Sequence, residues 1–300
     1  MITLGTILVP HDFSPTSEAA LRRAVALAKA AKGRIHLLHA YAWPIRGVLP
    51  YDMTIPAGVA DAIRAGIEEK LEELRAGVER EGVPATAEAS PDTPVDAIVG
   101  AAEKRATGLV VIGTRGLTGI KHVVLGSVAE RTVRLAPCPV LAVKEDDTGG
   151  PLRRILAATD FSPTGEHACA VAASLAKQVG GELHVGHAFD IPLTVVTPYE
   201  VTIPDSLIRD SREAARKKLA ATVAELRSHG VEAKAHLTEV PAAPAIADLA
   251  REVAADLVVI GTRGHTGLKH VLLGSVAERT LRLAPCPVLT VKSDAHQLDD

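Results

Sequence analysis

The 36 residues from Leu109 to Lys144 recur from Leu257 to Lys292 with 31 identities and no gap. The same offset of 148 holds along the whole chain: Asp12 falls on Asp160, Gly33 on Gly181, Pro50-Tyr51 on Pro198-Tyr199, Gly82 on Gly230 and Cys138 on Cys286. A unit of that length can bury a core of its own, so the chain is read as two tandem domains and not as a solenoid. The polar, glycine-rich run from Lys144 to Leu152 carries the boundary: residues 1–144 form the first domain, 145–152 the linker, 153–293 the second domain and 294–300 a polar tail. Drift between the copies is uneven, because Asp61–Arg80 keeps only 4 of 20 positions. The last third of each copy is therefore the more constrained part, with local gene conversion as the alternative source of its likeness.

In the first copy TILVP is a short, wholly apolar strand, and Ser14-Pro15 supplies an N-cap and a proline at the first helical position. The helix that follows sets Leu21, Ala24, Val25 and Ala28 on one face and stops at Gly33. Next come a strand in RIHLLHAYA, a helix from about Ala57 to Glu81, a strand in PATAEAS and a helix in PVDAIVGAAEKRA. LVVIG, SVAERTVRLA and PVLAV close the copy as strand, helix and strand, and the second copy repeats the order from RILAATD to PVLTV. Apolar strands alternating with helices must be covered on both faces, which predicts an α/β fold of two tandem, doubly wound, five-stranded parallel sheets of Rossmann-like type. Such a sheet reverses its winding once, and ligands bind beyond the carboxyl ends of the strands at that reversal.

Composition narrows the partners. Net charge is −3, basic residues are scattered among acids, and three Phe, three Tyr and one Trp offer no stacking platform, so nucleic acid is not an expected partner. The N-terminal MITLGTILVPHDFS lacks a basic region before an apolar run, and no apolar run reaches the roughly 18 residues of a membrane span. A cytoplasmic protein is expected, and Cys138, Cys169 and Cys286 are too few and too far apart for a disulfide framework or a zinc site. Cys138 and Cys286, both in APCPV, are read as buried small hydrophobes.

The repeated passage holds a glycine pattern, G-x2-G-x9-G-S, at Gly113, Gly116, Gly126 and Ser127 and again at Gly261, Gly264, Gly274 and Ser275. Gly113 ends a strand, where a missing side chain lets the backbone approach a ligand, and Gly116 suits a positive φ. Gly126 and Ser127 open a helix whose unpaired N–H groups and positive dipole end suit a phosphate. The pattern matches neither the P-loop nor the G-x-G-x-x-G dinucleotide fingerprint. A competing reading needs no ligand: Ser127 with Glu130, and Ser275 with Glu278, fit a capping box. Arg115 and Arg263 stand between the glycines, and Lys121 and Lys269 follow as further basic candidates. Asp12 and Asp160 end the first strands, placed either to accept hydrogen bonds from a ribose or adenine edge or to make an Asx turn before Ser-Pro.

Taken together, ILVPHDFS, LLHAYA, LVVIGTRG, the glycine run and APCPVLAVK resemble the universal stress protein superfamily in its tandem two-domain form, and the intact glycine run resembles its ATP-binding branch. The likeness implies a fold akin to the adenine nucleotide alpha hydrolases, with domains paired through the last strand. It implies that Pro10 and Asp12 lie against the adenosine, that Ala40 presents backbone groups to adenine, that Ile112 to Gly116 line the ribose and α-phosphate, and that Gly126, Ser127 and Val128 hold the outer phosphates. The second set is Ala158, Asp160, Ala188, Ile260, Gly261, Arg263, Gly264, Gly274, Ser275 and Val276. His11, where a Thr is common, and Ala158, in place of proline, depart from the pattern and point to two unequal pockets.

No catalytic residue is assigned. His11 is a candidate base, but its counterpart is Thr159; His39 and His187 are read as strand packing, and His122 and His270 as exposed loop imidazoles. No metal ligand set is visible, and Mg²⁺ held mainly by ATP phosphates suits the residues present. Three functions stay open: an ATP-binding stress-response or signalling module that changes conformation or partner, a slow ATPase or phosphotransferase, and a scaffold for a non-nucleotide small molecule. An adenine nucleotide and an internal pseudo-dimer through PVLAV and PVLTV are the expected partners; homodimerisation is left open.

Overall fold

The computed structural model describes residues 2, 4–41, 57–116, 125–189, 204–264 and 273–292. Pro50-Tyr51, Pro198-Tyr199, Lys121, His122, Lys269 and His270 lie outside the described residues. The chain divides into two compact units, one of Ile2–Gly150 and one from Pro151 onward.

The first unit runs β1 (Thr6–Pro10), α1 (Pro15–Ala31), β2 (Arg34–Ala40), α2 (Ala57–Arg80), β3 (Ala85–Ser90), α3 (Pro94–Lys104), β4 (Leu109–Gly113), α4 (Ser127–Leu135) and β5 (Val140–Val143). Its strands lie in the order β3-β2-β1-β4-β5, every pair parallel. The second unit runs β6 (Arg154–Ala158), α5 (Pro163–Val179), β7 (Glu182–Ala188), α6 (Asp205–Ser228), β8 (Ala233–Thr238), α7 (Ala242–Glu252), β9 (Leu257–Gly261), α8 (Ser275–Leu283) and β10 (Val288–Val291). It repeats the order as β8-β7-β6-β9-β10, again parallel. These are two doubly wound five-stranded sheets, with the winding reversed between β1 and β4 and between β6 and β9.

Burial explains the strand sequences. β4, β5, β9 and β10 have no exposed position, as strands covered on both faces require. Helix α1 starts as its sequence dictates, with the Ser14 hydroxyl accepting the Ser17 N–H and Pro15 in the first turn. Its end differs from expectation. Lys32, not Gly33, takes the left-handed cap (φ +53°), and Gly33 is required because a Cβ there would fall 2.0 Å from the Leu4 carbonyl oxygen.

The polar run after β5 is anchored. Arg23 Nε and Nη2 donate to the two carboxylate oxygens of Asp147 at 2.9 and 2.6 Å, and Nη1 donates to the Gly150 carbonyl at 2.5 Å. Both side chains of the pair are buried, and the Asp147 carboxylate also accepts the Gly149 N–H at 2.7 Å. In the second unit Leu152 is buried, and Asp256 Oδ2 accepts the Arg153 and Arg154 N–H groups at 2.8 Å. Pro151 and Leu152 lie between those two sets of bonds. Among the described residues no helix is long and apolar enough to cross a membrane.

Candidate functional site

A cavity of about 580 Å³ opens beyond the carboxyl ends of β1, β2 and β4, where the first sheet reverses its winding. Pro10, Asp12, Ala40, Ile112, Gly113, Arg115, Gly116, Gly126, Ser127 and Val128 all line it. The second unit has a cavity of about 420 Å³ in the same place, lined by Ala158, Asp160, Ala188, Ile260, Gly261, Arg263, Gly264, Gly274, Ser275 and Val276. Residues from four separated stretches of each copy thus meet at one opening.

The glycines serve other ends than those expected of two of them. A Cβ on Gly113 would fall 2.9 Å from Thr16 Cγ2 and 3.0 Å from the Thr16 carbonyl carbon, so this glycine lets β4 approach helix α1, not a ligand. Gly116 is not in the left-handed region; a Cβ there would fall 2.7 Å from Asp12 Oδ2, and one on Gly264 would fall 2.5 Å from Asp160 Oδ2. The missing side chain is what lets each aspartate reach its loop.

Gly126 works through the main chain. Its N–H donates to the Thr114 carbonyl at 2.7 Å, and Gly274 does the same with Thr262 at 2.7 Å, closing each glycine loop at its neck. The capping box is not formed: Gly126 and Gly274 are the N-caps, with no side-chain cap hydrogen bond, and Ser127 and Ser275 sit one residue inside their helices. Among the described residues no side chain caps the first turns of α4 and α8, and Ser127 to Ala129 and Ser275 to Ala277 line the cavities. With the helix dipole the first-turn amides make an electropositive end, reinforced by the exposed Arg115 and Arg263.

Asp12 and Asp160 each make the Asx turn and line their cavities. Asp12 Oδ1 accepts the Ser14 N–H at 3.1 Å and Asp160 Oδ1 the Ser162 N–H at 3.0 Å, which is the Asx turn, while the second oxygen faces Gly116 or Gly264. His11 is no base. It is 2% exposed, its Nδ1 accepts the Phe13 N–H at 3.2 Å, and burial pushes its pKa down to about 4.

His39 and His187, read from the sequence as packing residues, both line the cavities. His39 Nδ1 donates to the His11 carbonyl at 2.7 Å and His187 Nδ1 to the Thr159 carbonyl at 2.8 Å, which fixes each tautomer with the proton on Nδ1. Burial holds His187 below its ordinary pKa. Their placement at strand ends was the available signal. Thr114 and Thr262 fall within the stretches the resemblance pointed to, but they act through carbonyls that any residue has, so their side chains carried no signal. Cys138 and Cys286 are half-buried and not core; Cys169 is the buried one, its thiol pushed up to about 12 by desolvation.

A repeated doubly wound parallel sheet with a glycine-closed loop and a cavity at each winding reversal defines a tandem Rossmann-like α/β protein. The sequence model of the Universal stress protein family matches the chain twice, over residues 3–144 and 151–292, and the chain belongs to that family. It is 29% identical over 294 residues to a universal stress protein of Mycolicibacterium smegmatis, covering 95% of this chain and 96% of that one. It is 28% identical over 295 residues to universal stress protein Rv2623 of Mycobacterium tuberculosis, with 95% and 96% covered. The crystal structure of a universal stress protein from Archaeoglobus fulgidus shares the fold, with a TM-score of 0.72, 24% identity and 98% of each chain covered.

Proposed function

We propose that each cavity binds an adenine nucleotide, ATP in particular, and that occupancy sets the conformation or partner choice of a cytoplasmic stress-response module. The observation that carries this reading is the pairing, within one cavity, of uncapped first-turn amides with an aspartate across the winding reversal. The amides and the helix dipole suit an anionic tail, and a carboxylate accepts from hydroxyls or an amino edge, so opposite ends of a nucleotide find matching chemistry. Cavities of 420 and 580 Å³ lie in the size range of small-molecule sites. Among the described lining residues Asp12 and Asp160 are the only carboxylates, so Mg²⁺ arrives on the phosphates in this reading. Two family domains in tandem support an internal pseudo-dimer, the single-chain counterpart of two paired copies.

The test is ligand identity. Purified under native conditions and then denatured, the chain is expected to release an adenine nucleotide detectable by mass spectrometry, and MgATP is expected to raise its melting temperature. Absence of both results rejects the reading in favour of a non-nucleotide scaffold. Phosphate release over hours at saturating MgATP, lost in Gly126→Ala with Gly274→Ala, would identify a slow ATPase instead.

A further inference from the structure

The residue after each aspartate has an unusual backbone. Phe13 has φ +64° and Phe161 φ +63°, in the left-handed region that a bulky side chain enters only when its surroundings hold it there. Both copies hold it by the same means. The Phe13 N–H donates to His11 Nδ1 at 3.2 Å, and the Phe161 N–H donates to Thr159 Oγ1 at 3.0 Å, so the acceptor has changed chemistry while the bond has survived. Each ring lies on an imidazole, Phe13 on His39 with centroids 4.7 Å apart and Phe161 on His187 at 4.2 Å. A lysine covers each ring, Lys70 Nζ 5.4 Å from the Phe13 centroid and Lys218 Nζ 4.9 Å from that of Phe161.

The lysines are telling. Between Asp61–Arg80 and its counterpart only Arg64, Lys70, Leu71 and Ala76 are kept. Leu71 and Leu219 are core residues, which explains them; Lys70 is exposed, and its retention on a helix otherwise rewritten marks the stack as a unit. That unit closes on the aspartate. The carbonyl of residue 11 or 159 fixes the imidazole, the imidazole and lysine fix the ring, and the left-handed residue brings the following N–H of Ser14 or Ser162 onto the Asp12 or Asp160 carboxylate. Relaxing φ to negative values would rotate the peptides on both sides and move the carboxylate away from Gly116 or Gly264.

We infer that Phe13 and Phe161 are positioning residues of the two cavities: the clamped, left-handed aromatic holds the neighbouring aspartate against the glycine loop. The inference rests on the nucleotide reading above, since the aspartate is taken as a ligand contact there. The experiment is a calorimetric titration of the full chain with MgATP. Gly at both positions permits the same φ but removes the ring, so Phe13→Gly with Phe161→Gly is expected to weaken binding by about tenfold or more. Phe13→Tyr with Phe161→Tyr is expected to bind within about twofold of wild type, since the ring and its stack are kept. In an Asp12→Asn, Asp160→Asn background the Gly changes are expected to cost less than about twofold, because a residue acting through the aspartate has nothing left to position. Wild-type affinity in the Gly variant, or an equal loss in the Asn background, overturns the inference. If the Gly variant does not fold, Lys70→Ala with Lys218→Ala, at exposed positions, must weaken binding by about threefold; unchanged affinity there also overturns it. A wild-type chain that binds no adenine nucleotide removes the site reading and this one with it, whereas wild-type binding with unaffected variants removes this one alone.

Discussion

One wall of the cavity has the same sequence in both copies and the other has drifted. On the glycine side, Ile112–Gly116 and Gly126–Ala129 equal their counterparts at every position. On the facing side Pro10 becomes Ala158, His11 becomes Thr159, Ser17 becomes Gly165, Leu38 becomes Gly186 and Pro94 becomes Ala242, all of them lining residues. The changes are coupled: a Cβ on Gly165 would fall 2.7 Å from Asp160 Oδ1 and 2.9 Å from Thr159 Oγ1, so the second cavity has filled the room that the Ser17 side chain takes in the first. The difference teaches which constraint is stricter. A wall built from main-chain approach has no substitute for glycine, whereas a wall built from side chains can be rebuilt by exchanging volumes.

The largest expected asymmetry is one of stability. The Arg23–Asp147 pair has no counterpart, since Val171 stands where Arg23 does. Asp147→Ala would strand a buried guanidinium at a cost of about 3–5 kcal/mol, accelerating amide exchange along α1 while leaving α5 as it was. Equal acceleration in both helices would break the comparison. Acid should separate the units next. His11 has its pKa lowered from 6.5 to about 4, so the unfolded chain takes the proton first. Its contribution is complete above about pH 6.5, declines as pH falls and is gone below about pH 4, a difference of about 3 kcal/mol at roughly 1.4 kcal/mol per unit. His11→Thr, which imports the second unit's residue, should flatten the acid loss of the first unit between pH 7 and 4, as read by urea midpoints; His36, also lowered to about 4, keeps its own share. Parallel slopes in variant and wild type would refute the assignment. The smallest effect tests the shared wall. Gly116→Ala and Gly264→Ala each push against a flexible carboxylate and not against backbone, so the fold should survive while affinity at that one site drops by about 10–100-fold, the scale of a lost charge-assisted hydrogen bond. Native mass spectrometry should show one nucleotide retained in each single variant; loss of both from either one would mean the cavities are not independent.

The order of elements was legible because period and punctuation agree: LVVIG and TILVP became β4 and β1 with the expected bounds, and Pro15 and Pro94 each opened a helix. The glycine pattern located the cavity walls, but its reasons were tertiary. Nothing local says that Gly113 faces Thr16 or that Gly116 faces Asp12. Left-handed Phe13 was invisible, since an aromatic residue there contradicts its own propensity and only its neighbours explain it. The polar run after β5 reads as a tether by composition, yet Asp147 is buried because of an arginine 124 positions earlier.

One coupled exchange bears on how such duplicated chains can evolve. In β7 a Cβ on Gly186 would fall 2.8 Å from Leu249 Cδ2 in α7, while the first copy has Leu38 and Ala101 at these two positions. A recombination breakpoint between them would therefore join leucine to leucine, overfilling the layer, or glycine to alanine, leaving a void. Crossovers that keep strand and helix together preserve the fit, so the heritable module here is the strand with its covering helix, larger than the residue and smaller than the domain.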